Sequence, residues 1–213
     1  MIVVIDYGMG NLGSIVNMLR RIGADVTLSA DLKDIEMADR LILPGVGAFD
    51  RGMENLHNMN VIPLLNQRVL EENTPILGLC LGMQLFGKGS EEGNTEGLGW
   101  IDAQSVRFRF DDTDPQLASL RVPHMGWNGV HVHKSHPMMD NLEPDTRYYF
   151  VHAYHVRCND PSDVLATTRY GIEMVSAFAR GPITGMQFHP EKSLRWGMRV
   201  FEQFVAYHAE PAL

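Results

Sequence analysis

Pro75-Ile76-Leu77-Gly78-Leu79-Cys80-Leu81-Gly82-Met83-Gln84-Leu85-Phe86 reads as a strand over 75–79 that turns at one residue into a helix over 81–86. An apolar run without alternation suits a strand covered on both faces, as in a parallel sheet. The turn itself, Gly-Leu-Cys-Leu-Gly, has the form of a nucleophile elbow. Its glycines allow the tight reversal while the residue between them is held strained. The side chain of Cys80 then emerges at the carboxyl end of the sheet, where open α/β sheets bind ligands. A structural cysteine buried between close-packed glycines would leave the same trace.

The pattern extends on both sides. Residues 2–5 form another continuous apolar run, and 11–22 a helix with Leu12, Ile15, Val16, Leu19 and Ile22 on one side. Short strands follow at 26–28 and 41–43, the latter stopped by Pro44-Gly45, and 61–71 reads as helical. Strand and helix thus alternate through the first ninety residues or so, which predicts parallel strands with helices on both faces. Beyond Gly99 the character changes. Strands are expected at 104–110, 130–133, 148–151, 164–168, 174–179 and 183–187. Asp111-Asp112, Asn159-Asp160-Pro161 and Gly181-Pro182 supply turns between them. A helix over 196–208 closes the chain. The fold class is α/β, with a mixed, mainly parallel central sheet flanked by helices, in a single domain over 1–213.

Composition removes several function classes. The 213 residues carry 18 Lys+Arg against 26 Asp+Glu, a net charge of −8, which argues against a general nucleic-acid binder. Hydrophobic content of 45% and charged content of 21% fit a globular protein rather than a disordered tail, a collagen or a coiled coil. Two cysteines, Cys80 and Cys158, make no disulfide framework. No apolar run reaches the roughly 18 residues of a membrane span. The opening Met1-Ile2-Val3-Val4-Ile5-Asp6 lacks the basic region of a signal peptide. A reduced, cytoplasmic protein is the expectation.

A free thiol is only weakly nucleophilic at neutral pH and needs a base. His189, in Gln187-Phe188-His189-Pro190-Glu191, follows the last expected strand, which Pro190 stops. Glu191 stands two residues on and can orient the imidazole, the third part of a triad. A surface His beside a Glu is the bland alternative. Its occurrence at a strand end, together with the elbow at another, favours catalysis. Pro44-Gly45-Val46-Gly47 after the third strand can present backbone N–H groups to an oxyanion, with the Leu81 N–H as second donor. Taken alone it is an ordinary turn. Two competing signals remain. Gly8-Met9-Gly10-Asn11-Leu12-Gly13, between strand and helix with Asp31 about twenty residues on, fits a dinucleotide fingerprint or a tight helix–sheet turn. His131, His133 and His136 could hold zinc or line a strand face. Cys158 has no partner pattern.

The elbow at Cys80, with His189-Pro190-Glu191 about 110 residues later, resembles the class I (triad) glutamine amidotransferases. Asp6-Tyr7-Gly8-Met9-Gly10-Asn11-Leu12, Pro44-Gly45-Val46-Gly47-Ala48-Phe49, Pro123-His124-Met125-Gly126-Trp127-Asn128 and Tyr149-Phe150-Val151-His152 are similar to that family nearly end to end. Cys-Leu-Gly-Met-Gln, Pro-Gly-Val-Gly and Pro-His-Met-Gly-Trp-Asn together resemble the branch that serves histidine biosynthesis. The resemblance implies a flavodoxin-like sheet and glutamine hydrolysis through Cys80, His189 and Glu191, without cofactor or metal. It implies Val46 and Leu81 as oxyanion donors and Gly47, Gln84 and Glu92 as glutamine contacts. It further implies ammonia delivery to a (β/α)8-barrel cyclase docked near Asn11, Met125 and Trp127. That partner would make imidazole glycerol phosphate and aminoimidazole carboxamide ribonucleotide. A paralogous glutaminase for amidation of bacterial surface sugars has a similar triad. Val46 stands where related glutaminases have glycine, and a β-branched residue there resists unusual φ values. The donor is therefore expected to turn away until the partner binds its ligand. Ala153, where the family often has Ser, and Gly13, where it often has a basic residue, are departures outside the triad.

Overall fold

A computed structural model describes residues 1–111 and 113–207. Four parallel strands open the chain: β1 (Ile2–Ile5), β2 (Val26–Ser29), β3 (Arg40–Leu43) and β4 (Ile76–Leu79). Helices α1 (Leu12–Arg21), α2 (Leu32–Glu36), α3 (Phe49–Asn58) and α4 (Ile62–Asn66) connect them. The last of these widens into a π-type turn over Gln67–Glu71. Helix α5 (Leu81–Leu85) follows β4 directly. Then come β5 (Gly89–Ser90), β6 (Ala103–Arg107), α6 (Pro115–Ala118), β7 (His124–Asn128) and β8 (His131–Val132). The remaining strands are β9 (Tyr148–His152), β10 (Tyr154–Cys158), β11 (Val164–Tyr170), β12 (Ile172–Arg180) and β13 (Ile183–Met186). Helix α7 (Leu194–Ala206) comes last.

The main sheet runs β2-β1-β3-β4-β13-β12-β10-β6-β5, with β11 and β8 branching from β12. Its first five strands are mutually parallel. From β13 onward the pairing turns antiparallel, apart from the short β5–β6 pair. Strands β7 and β9 form a separate antiparallel ribbon. The decisive join is β4 with β13, which sets Gly78 beside Gly185 and Leu79 beside Met186.

Alternation along the strands divides the core in two. Ile2, Val4, Ile42 and Leu77 face Ile15, Val16 and Leu19 of α1 and Val200, Phe201 and Phe204 of α7. Val3, Ile5, Leu41 and Leu43 face Ile35 of α2, Phe49, Met53 and Leu56 of α3, and Leu65. All four residues of β1 are buried, as expected for a strand covered on both sides.

Several expectations shift. The strand expected over 104–110 ends at Arg107; the Phe108 N–H still donates to the Ala153 carbonyl (3.2 Å), while its ring stacks on Phe110 and packs tilted against His155. The strand over 130–133 shrinks to two residues. The helix over 61–71 is α-helical only to Asn66. The closing helix starts at Leu194 and ends at Ala206; His208 and Asp112 lie outside the described residues. Among the described residues no helix is long and apolar enough to cross a membrane.

Candidate active site

The β4–β13 register builds the site. One step past Leu79 and Met186, Cys80 comes opposite Gln187, and the Cys80 N–H donates to the Met186 carbonyl (2.8 Å). Side chains on extended backbone alternate, so Gln187 and His189 project to the same side. Cys80 takes φ +52° and ψ −104°, a strained conformation for a non-glycine residue. Gly82 makes that turn possible, since a Cβ there would lie 1.9 Å from the Leu43 carbonyl oxygen.

His189 is held at both ends of its backbone. Its N–H donates to the Tyr149 carbonyl (2.9 Å), and its carbonyl accepts from Ser193 Oγ (2.6 Å). The imidazole Nδ1 lies 2.8 Å from Glu191 Oε1, and both side chains are buried. A carboxylate accepts only, so Nδ1 carries the proton. Nε2 is buried without a nitrogen or oxygen partner and is left for the Cys80 thiol. Burial disfavours the imidazolium, but hydrogen bonds to Cys80 and Glu191, with their charges, outweigh it and raise the His189 pKa to about 10. The α5 helix behind Cys80 has only five residues, so its dipole is small and the imidazole is the nearer polar partner of the sulfur.

A cleft of about 600 Å³ opens above the sulfur. It brings together Cys80, Val46, Gly47, Leu81, Gln84 and Glu92, all singled out from sequence. The Leu81 N–H donates to the Gly45 carbonyl (3.3 Å), so the Gly45–Val46 peptide presents its oxygen, not the Val46 N–H, to the elbow. The Tyr7 hydroxyl donates to the Pro44 carbonyl (2.6 Å) and pins the start of this segment. Glu92 Oε2 accepts the Phe49 N–H at the start of α3 (2.8 Å). Gln84 spends its Nε2 on the Tyr154 carbonyl and Gln187 Oε1, both at 3.1 Å. Gln187 has no role in the sequence reading. Its one signal is its place two residues before His189, on the same strand face.

The remaining candidates lie elsewhere. Met125 and Trp127 alternate outward from β7 and are 61% and 43% exposed, beside the cleft-lining Pro123. Asn11, exposed, heads α1. The glycine-rich turn is used for packing. Gly10, at φ +110°, lies against Pro44, and Asp6 accepts the Gly8 N–H. Asp31 caps α2 through the Lys33 N–H (2.9 Å), so the carboxylate of the dinucleotide fingerprint is engaged in the fold. His133 Nε2 is 2.8 Å from Thr167 Oγ1, and among the described residues no metal-binding cluster forms around it. Burial raises the thiol pKa of Cys158 to about 12.

The family model for class-I glutamine amidotransferases matches residues 3–207. A Pseudomonas aeruginosa protein named imidazole glycerol phosphate synthase subunit HisH 2 is 48% identical over 206 residues, covering 96% of this chain and 98% of its own. A Methanococcus maripaludis protein of the same name is 47% identical over 205 residues, covering 96% and 98%. A Bacillus velezensis subunit HisH is 40% identical over 211 residues, covering 99% and 98%. The fold matches a crystal structure described as glutamine amidotransferase, with a TM-score of 0.73 and 20% identity over 97% of this chain and 99% of that one. It also matches a chain of PurLQS from Thermotoga maritima, with a TM-score of 0.68 and 15% identity over 97% of each chain. The chain with this elbow cysteine and carboxylate-bound histidine belongs, over nearly its whole length, to the class-I glutamine amidotransferase family, alongside the HisH proteins it is similar to.

Proposed function

We propose that this chain hydrolyses glutamine and hands the ammonia to the cyclase subunit of an imidazole glycerol phosphate synthase, in histidine biosynthesis. The observation that carries the reading is the buried His189, held through Nδ1 by Glu191 and free at Nε2 to serve Cys80. In the first step Cys80 Sγ bonds to the side-chain amide carbon of glutamine, and its proton moves to His189 Nε2. Collapse of the tetrahedral adduct breaks the C–N bond, and His189 returns the proton to the leaving nitrogen as ammonia departs. Water then attacks the thioester, losing a proton to Nε2, and the C–S bond breaks to release glutamate. Glu191 keeps the imidazole in one tautomer throughout.

Negative charge on the amide oxygen needs two donors, the Leu81 and Val46 N–H groups. With the Leu81 N–H spent on the Gly45 carbonyl, the isolated chain is nearly silent. Rotation of the Gly45–Val46 peptide, driven by ligand binding in the cyclase, brings Val46 N–H round and frees Leu81. Substrate contacts follow from chemistry. Both Nε2 protons of Gln84 are committed, so its carbonyl oxygen is left to accept from the α-ammonium, as is the Glu92 carboxylate. Gly47 lines the mouth of the cleft. Asn11, Met125 and Trp127 supply the docking face.

The test is glutamate release by the purified chain, alone and with a histidine-pathway cyclase and its ribonucleotide. Stimulation that Cys80→Ala abolishes, while ammonia-dependent synthesis by the complex persists, is the expected result. No stimulation of a folded chain would overturn the assignment of partner. The second reading is a paralogous glutaminase subunit that serves surface-sugar amidation with a different partner. Absent stimulation would move the weight there.

A further inference from the structure

A continuous hydrogen-bond chain that contains no catalytic base reaches the Cys80 sulfur. Gln187, fully buried, donates through Nε2 to Cys80 Sγ at 3.7 Å, a distance normal for sulfur as acceptor. Its carbonyl Oε1 accepts from Gln84 Nε2, which also donates to the Tyr154 carbonyl. The orientation of both amides follows from that last group. A backbone carbonyl can only accept, so Gln84 must turn its NH2 toward Tyr154. The second Nε2 proton then points at Gln187 and admits only Oε1 there. Gln187 is left with its NH2 against the sulfur. Flipping either amide would set oxygen against oxygen or N–H against N–H in a buried place, which is costly.

The same carbonyl anchors a second branch. His152 Nδ1 donates to it (2.8 Å), so His152 Nε2 is unprotonated and accepts from His124 Nδ1 (3.0 Å). Burial holds both histidines neutral, with pKa values lowered to about 3 and about 4. This branch keeps its direction over the whole physiological range, and with it the anchor.

We infer that Gln187 is a further catalytic residue, whose N–H is aimed at the cysteine sulfur by Gln84 and the Tyr154 carbonyl and stabilises the thiolate as it forms. The inference rests on the reading of Cys80 as nucleophile and adds a donor to it. A sulfur anion accepts a hydrogen bond more strongly than a neutral thiol. The donor therefore favours formation of the thiolate from the thiol and its departure from the adduct, and Gln187 is not among the residues that line the cleft. Gln84 acts as a positioning residue through Gln187.

Two substitutions separate donor from scaffold. Gln187→Met removes the donor without adding charge. Gln187→Glu keeps an acceptor for Gln84, and covers the case in which the methionine variant fails to fold. The first readout is the rate of Cys80 alkylation by iodoacetamide against pH in the isolated chain. Cys158, whose pKa burial raises to about 12, stays silent in that range. The midpoint is expected to move up by about one pH unit. The second readout is glutaminase activity of the cyclase complex. There kcat is expected to fall roughly 10- to 100-fold with KM within about twofold, as for loss of a hydrogen bond to the reacting sulfur rather than to the bound amino acid. Wild-type midpoints and kcat in folded variants would overturn the role of Gln187. Wild-type glutamate release that survives Cys80→Ala would overturn the reading beneath it, and the two failures are distinguished by that control.

Discussion

Replacing Val46 by glycine should awaken the isolated chain. To form the oxyanion hole the Gly45–Val46 peptide must rotate, which changes ψ of Gly45 and φ of Val46. The hydrogen bond from the Leu81 N–H to the Gly45 carbonyl, 3.3 Å long, is lost in the process. Its net worth is about 0.5–1.5 kcal/mol. Gly45 tolerates a new ψ, but Val46 is β-branched, and an L residue forced toward positive φ costs roughly 1–2 kcal/mol. Together these give about 1.5–3.5 kcal/mol, or a rotated population of about 0.3–8%. That range overlaps the roughly 10²–10³-fold loss expected when one oxyanion donor is missing. Val46→Gly removes only the conformational part, so basal glutamate release should rise about 5- to 30-fold. Val46 is 41% exposed, so little packing is lost and the melting temperature should hold close to the parent's. The assay is glutamate formation by the chain alone, coupled to glutamate dehydrogenase, at saturating glutamine. An unchanged or lower basal rate in a folded variant would refute the idea that this peptide keeps the chain silent.

Glu191→Gln should lower glutaminase kcat at least about 10²-fold, because the imidazole loses the anion that fixes its tautomer. It should also flatten stability against pH. His189 is raised from 6.5 to about 10 in the fold, so its contribution is full below pH 6.5 and is lost as pH climbs toward 10. Urea unfolding should therefore show a parent–variant gap on the order of 2 kcal/mol at pH 6 that shrinks by pH 9.5; a constant gap would contradict the shift. Gly82→Ala should destabilise by about 1–3 kcal/mol or more, since its Cβ would fall 1.9 Å from the Leu43 oxygen and 2.8 Å from its carbonyl carbon. Denaturant midpoints give the value, and a change under about 0.5 kcal/mol would mean that the elbow is looser than its geometry.

The parallel half of the sheet is legible in the sequence because β1, β3 and β4 are unbroken apolar runs that few other structures accommodate. Helix α3 leaves a fainter trace. Its apolar residues Phe49, Met53 and Leu56 keep helical spacing, but Gly52, Asn55, His57 and Asn58 depress propensity, and Ala48 offers no side-chain cap. Helix α2 is hidden differently. Asp31, its cap, also completes the spacing of a dinucleotide fingerprint with the glycine-rich turn before it. Strand β7 contains Gly126 and Asn128, poor strand formers, and owes its conformation to pairing with β9. In the site, Cys80, His189 and Glu191 can be read from local patterns at strand ends. Gln187 cannot be assigned without the β4–β13 register. The direction of the Gly45–Val46 peptide is likewise a matter of tertiary contact, because no residue type records which way a peptide plane faces.

That strand order has a bearing on when activity can arise during synthesis. Cys80 emerges from the ribosome about a hundred residues before Gln187 and His189, and the groups meet only when β13 inserts between β4 and β12. A nascent chain lacking β13 has an elbow but no acid or base. It also leaves the edge of β4 unpaired, an invitation to association with other chains. Pairing so distant in sequence carries a high contact order and forms late. On the proposed chemistry, competence is a readout of completed folding, and a chain interrupted before residue 183 is expected to consume no glutamine.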